Sequence, residues 1–229
     1  MEEMPGEGLS ASLVDNLVSF SQSRGNVYAL LSRCFEKEMD VSLAKQLACE
    51  FSFVSNDVAL TESLAAMRHD VADCDEARLE QLAVVFDRAF FGMGPRATQK
   101  AFPYESVYTS AEGLMMQDAY SQAVEAYRSE RLAKNPGFHE PEDHLAVEFV
   151  FMRILCEKTV AALGCGDGEE AERLLAQQRA FLQEHVLTWI DRFAADLRKS
   201  AEGGFYAHLA TFTEAFAHAD VAALDEVLG

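Results

Sequence analysis

Cationic side chains are scarce in this chain. Its 229 residues hold 19 Lys and Arg against 38 Asp and Glu, a formal net charge of −19. A surface of that sign repels phosphates, which argues against general DNA or RNA binding. It suits a cationic peptide partner, and equally an ordinary solvated acidic face. Cysteine is sparse and unpatterned. Cys34, Cys49, Cys74, Cys156 and Cys165 form no CxxC pair, so neither a disulfide framework nor a zinc knuckle is expected. Most should be small buried apolar residues in a reducing compartment. No apolar run reaches the ~18 residues that span a bilayer. The start, MEEMPGEGLSASL, lacks the basic and apolar regions of a secretory signal. The expectation is a cytoplasmic protein with no membrane span.

Catalytic signatures are missing too. GMGPRA at residues 92–97 lacks the GK[ST] ending of a phosphate-binding loop, and a helix end followed by a proline stop explains it better. GxSxG and HExxH do not occur. Alternating runs bounded by hairpin turns, the mark of strands, are absent as well.

What is present is helical periodicity. Hydrophobic residues make up 49% of the chain, enough for a substantial core. Residues 1–8 read as a disordered start, and residues 9–229 as one all-α domain, a multi-helix bundle. Leu9 to Glu38 is helical, with Gly25 a candidate break. Asp40 and either Asp73 or Asp75 are candidate N-caps. A helix carrying Leu79, Leu82, Phe86 and Phe90 should stop at Gly92. Residues 92–113 read as a loop holding Phe102, Tyr104 and Tyr108, aromatics that serve either a site or the core. A helix over about Leu114–Leu132 follows, then a turn and candidate hinge at Lys134–Phe138. One long helix is expected over Glu169–Lys199, with Leu182, His185, Trp189, Phe193 and Leu197 on a stripe and His185 a hydrogen-bonded core histidine. A last helix carries Phe205, Leu209, Phe212 and Phe216.

The stretch with the most chemistry is Glu140–Leu155, EPEDHLAVEFVFMRIL. Pro141 fits the first position of a helix running to about Leu163, with Glu140 as N-cap. Glu142 and Asp143 then fall in the first turn, where the helix dipole favours acids. That accounts for the stretch without a function. The same acids, with His144, would also serve the mouth of a groove that receives arginine, which pairs with carboxylates through two parallel hydrogen bonds. A third reading puts His139, His144 and Glu148 around a catalytic metal in an all-α hydrolase.

EPEDHLAVEFVFMRIL resembles the E-P-x-D-H helix of the TorD/DmsD family of cytoplasmic chaperones for molybdoenzyme maturation. RGNVYALLSRCF at residues 24–35, FPYESVYT at 102–109, and FLQEHVLTWIDRF at 181–193 with the helix after it are similar to further family segments in the same order. The resemblance spans about residues 24–217. It implies an all-helical, non-enzymatic protein of the TorD-like type with no cofactor of its own. Its partners would be the twin-arginine leader and precursor of a molybdopterin oxidoreductase catalytic subunit, held back from export until the cofactor is loaded. By motif, the peptide-binding residues would be Tyr104, Glu105, Ser106 and Tyr108 in the loop, and Glu140, Pro141, Asp143 and His144 at the helix start. The position equated with Tyr104 is tryptophan in some members. Weak guanine-nucleotide binding occurs in some members, and others are helix-swapped homodimers rather than monomers. A nitrate-reductase-type assembly chaperone, with a client peptide that lacks a functional export signal, is the variant reading within the same superfamily.

Overall fold

The computed structural model describes residues 11–93 and 100–229, and the disordered start expected at residues 1–8 and the Gly94-Pro95 stop lie outside them. Among the described residues the chain forms ten α-helices and no strand, as the periodicity implies. These are α1 (Ala11–Glu36), α2 (Val41–Lys45), α3 (Val58–Val71), α4 (Glu76–Phe91) and α5 (Glu105–Thr109). After them come α6 (Asp118–Ser129), α7 (Leu145–Gly164), α8 (Gly168–Glu184), α9 (Ile190–Ala201) and α10 (Phe205–Leu228).

Local chemistry sets many of the boundaries. Aspartates at 40, 57, 75 and 167 each accept a backbone N–H two or three residues into the helix that follows, satisfying a donor with no partner inside the helix. Asp75, not Asp73, is the cap of α4, and Gly92 ends that helix with φ +65°. Gly25 does not break α1. A Cβ there would sit 3.4 Å from Cys156 Cβ, so the glycine marks a close crossing of α1 over α7.

The core joins α1 to α7, and α10 to α3, α8 and α9. Tyr28, Phe35, Phe149, Phe193, Phe205 and Phe212 are fully buried in it. One polar network crosses this interior. Arg24 forks onto Asp220, with Nε to Oδ1 at 2.5 Å and Nη2 to Oδ2 at 2.9 Å. Its Nη1 donates to Gln178 Oε1 at 2.6 Å, Tyr28 donates to Asp220, and Gln178 donates to Thr159. Burial alone would lower the Arg24 pKa, but the Asp220 charge overrides it and holds the guanidinium charged. The network ties α1, α8, α7 and α10 at one point.

Several expectations are corrected. The helix expected over 169–199 is two helices, broken at His185 and joined by a 3₁₀ turn, Val186–Thr188. No glycine or proline marks the break. Thr188 Oγ1 closes it by donating to the His185 carbonyl at 2.6 Å. The helix expected from Leu114 begins only at Asp118, because Gly113 and Met116 take left-handed φ of +65° and +57°. Leu114, Met115 and Met116 are therefore exposed. The loop expected over 92–113 contains the short helix α5. Only Cys34 and Cys156 are buried, while Cys49 and Cys165 are exposed and Cys74 lies between.

Replacing Arg24 with Met should cost about 3–5 kcal/mol, because Asp220 is left charged and buried. The double replacement Arg24→Met with Asp220→Leu should recover most of that loss. Urea denaturation of the two variants checks the non-additivity.

Candidate functional site

The stretch Glu140–His144 is not the first turn of a helix. Helix α7 begins at Leu145 with His144 as its N-cap, and Pro141–Asp143 lie in the turn before it. The cause is a backbone exchange with the aromatic loop. Tyr104 and His144 form an antiparallel bridge. Glu105 N–H donates to the Asp143 carbonyl and Leu145 N–H to the Pro103 carbonyl, each at 2.9 Å. This pairing holds His144 extended, so the helix starts later than proline and the acids suggest. His144 Nδ1 then accepts the Ala146 N–H at 3.1 Å, the service a serine or aspartate usually performs.

Asp143 also serves the opposite segment. Its Oδ2 accepts the Ser106 N–H at 3.0 Å, so this fully buried carboxylate caps α5 from across the bridge. Ser106 Oγ in turn accepts the Gln117 N–H at 3.1 Å, which carries the connection to the start of α6. Glu105 turns inward and meets His185 Nδ1 at 2.9 Å, beside the break between α8 and α9. His185 is thus the hydrogen-bonded core histidine that its apolar stripe suggests.

The eight residues singled out from sequence therefore divide. Glu105, Ser106, Asp143 and His144 are buried and hold the loop to the helix. Tyr104, itself only 4% exposed, donates its hydroxyl to Glu140 at 2.5 Å and stands edge-on to the His144 ring at 5.1 Å. Burial, and then the Glu140 carboxylate, raise the Tyr104 pKa and keep the phenol protonated. Glu140 and Pro141 are half-buried. Tyr108 does not join this group. It stacks on Trp189 at 5.4 Å and reaches Asp196, so it faces α9 and not His144.

Two clefts open beside the bridge, and both are lined by Glu36, Gly137 and Phe138. The larger, about 390 Å³, has a floor of Leu132, Val147, Val150, Phe151 and Ile154, with Lys134 at its edge. The smaller, about 200 Å³, is lined by Phe90, Phe91, Tyr104, His139, Glu140 and His144. The Phe138 ring stands edge-on to His144 at 5.3 Å and sits where the clefts meet. Glu36 is exposed and forms no ion pair among the described residues. Lys134 is engaged by Glu142 at 3.5 Å and by the Glu140 carbonyl. Sequence reasoning missed Glu36, Phe138 and the apolar cleft. Their signals were present but dispersed: Glu36 ends α1, Phe138 ends the turn, and the floor is the solvent-side half of an almost wholly apolar helix.

The metal-hydrolase reading fails on this geometry. Among the described residues no three His, Cys, Asp or Glu side chains converge to hold a metal ion. His139 is exposed, His144 Nδ1 is spent on its cap, and Glu148 is fully buried. Its carboxyl is hydrogen-bonded to that of Glu105. Burial, then the charges of Glu105 and Asp143, push its pKa well up, so it is held as the neutral acid.

Burial, with the Lys134 charge adding to it, pulls the His144 pKa from 6.5 down to about 3. The folded protein thus keeps His144 neutral while the unfolded chain takes up a proton. Its contribution to stability is complete above pH 6.5 and declines as pH falls toward about 3. Asn can replace the cap without titrating, so His144→Asn should flatten this decline by about 1.4 kcal/mol per pH unit. Denaturant titrations of both proteins at pH 6.5, 5.75 and 5.0 measure the difference.

The comparisons with known proteins agree with the resemblance. Three relatives are each named "Chaperone protein TorD". The one from Photobacterium profundum is 29% identical over 92% of this chain and 98% of its own length. That from Vibrio cholerae is 28% identical over 94% and 98%, and that from a Shewanella strain 29% over 92% and 98%. Residues 55–195 match the family described as nitrate reductase delta subunit. That match takes in α3 to α8, the aromatic loop and the Tyr104–His144 bridge, and the chain belongs to this family.

Proposed function

We propose that the chain is a chaperone for the precursor of a molybdoenzyme catalytic subunit. It binds the precursor's twin-arginine leader at the paired clefts around Phe138 and delays export until folding and cofactor insertion are complete. The observation that carries this reading is the meeting of two chemistries at one place. Glu36 and Glu140 offer carboxylates on the walls of clefts whose neighbouring floor is Val147, Val150, Phe151 and Ile154. A leader has the complementary order, arginines followed by an apolar segment. Arginine pairs with carboxylates through charge-assisted bonds. The apolar floor takes the hydrophobic part, as in helix-in-groove recognition. The net charge of −19 adds long-range attraction for a cationic peptide. Tyr104 and Pro141 complete the wall, and Asp143, His144, Glu105 and Ser106 act through position. The TorD names of the relatives support a chaperone rather than an enzyme.

The family match to nitrate reductase delta subunits favours one variant, in which the client peptide has lost its export function. It differs in the client and leaves the binding physics unchanged.

The test is calorimetric titration with a synthetic leader and with its Arg-Arg→Lys-Lys counterpart. Glu36→Gln with Glu140→Gln should weaken the arginine leader about three- to thirtyfold, with the larger loss at low salt. Val150→Glu should weaken both peptides. Full affinity in the Glu36→Gln, Glu140→Gln protein would place the leader elsewhere.

A further inference from the structure

A third cleft lies at the far end of α7, and nothing in the proposed leader site accounts for it. It measures about 930 Å³ and sits between the start of α1, the junction of α7 and α8, and the end of α10. Leu17, Leu163, Leu175 and Leu228 line it, and Leu13 and Val227 stand exposed on its rim at 43% and 39%. Three carboxylates, Glu169, Glu172 and Glu226, edge this apolar floor. All three are exposed, and among the described residues none is engaged by a lysine or arginine. The basic residues nearby are spent on other acids: Arg173 on Glu130 and Glu170, and Arg179 on Asp225. The cleft is therefore apolar within and negative without.

We infer that this cleft is a second docking site, for an amphipathic helical segment of a partner protein whose polar face is basic. Charge selects that occupant over the two others within reach. The chain's own first ten residues, MEEMPGEGLS, carry three glutamates and no basic side chain, so they would bring acids to an acidic rim. A second copy of the chain brings a net charge of −19 against −19. A helix with leucines on one face and lysines or arginines on the other answers both the floor and the rim. Val150 of the leader cleft and Leu163 of this one stand on helix α7 about 20 Å apart at 1.5 Å rise per residue, so the two are separate openings.

The probe is a synthetic amphipathic helix of leucine and lysine, of ~18 residues or about five turns. Its counterpart carries glutamate in place of lysine. Calorimetry on the full chain should show binding of the lysine peptide and not of the glutamate one. Glu169→Gln, Glu172→Gln and Glu226→Gln together should weaken it about tenfold and remove most of its salt dependence. These residues are exposed, so the variant should keep its melting temperature. The exposed thiols locate the peptide. Cys165 adjoins Gly166 of the cleft, and Cys49 lies on the turn after α2. Bound peptide should slow alkylation of Cys165, followed by mass spectrometry, and leave Cys49 unchanged. A saturating arginine leader should not displace the probe. Unchanged affinity in the triple variant overturns the inference, as do an unshielded Cys165 and displacement by the leader. So does displacement by a peptide of residues 1–10, or a dimer of the chain that the probe dissociates.

Discussion

The candidate site depends on the backbone exchange between residues 103–106 and 143–145. Its two hydrogen bonds and single bridge bring a short aromatic loop against the entry to α7. Such an exchange buries polar groups, and the side chains around it answer that need. Asp143 takes the Ser106 N–H, His144 takes the Ala146 N–H, and Glu105 takes His185. The result is a dense acidic interior, with Asp143, Glu105 and Glu148 all under 3% exposed. Three carboxylates in so dry a place cannot all ionise cheaply, and burial with the charges of Glu105 and Asp143 pushes the Glu148 pKa well up. The cluster thus settles its own repulsion by keeping a proton.

That arrangement explains why helix periodicity was legible and the site was not. Stripes such as Phe205, Leu209, Phe212 and Phe216 repeat at helical steps, and all four are buried as that spacing requires. Asp40 and Asp75 announce helix starts through short-range chemistry, three residues from donor to acceptor. EPEDH carries the same local signal, yet its helix begins later, because partners 37 and more residues distant hold His144 extended. Local propensity is a weak prior where a tertiary contact opposes it. The break at His185 is hidden for the same reason, since its hydrogen-bond partner is 80 residues away. The residue types of Asp143 and His144 could not say whether they face water or interior.

The clefts and the bridge meet at Phe138. The ring belongs to the turn after α6, touches His144, and lines both clefts. Asn135 stabilises that turn by accepting the Gly137 N–H at 2.9 Å through its side chain. The Phe138 N–H donates to the Asn135 carbonyl at 3.0 Å, and Lys134 ties the same segment to Glu142 and the Glu140 carbonyl. The turn therefore stands as one wall of both clefts, opposite the buried bridge.

The length of α7 has a consequence for any client that engages both ends of the molecule. The stretch from Val150 to Leu163 works as a gauge of about 20 Å. An extended chain covers at most ~3.6 Å per residue, so a client needs about six residues between the two segments it presents. With fewer, only one segment seats at a time. With that number or a few more, the first contact raises the local concentration of the second segment to the millimolar range. The spacing of a client's segments then decides between loose and tight retention, without any change in the contacts at either end.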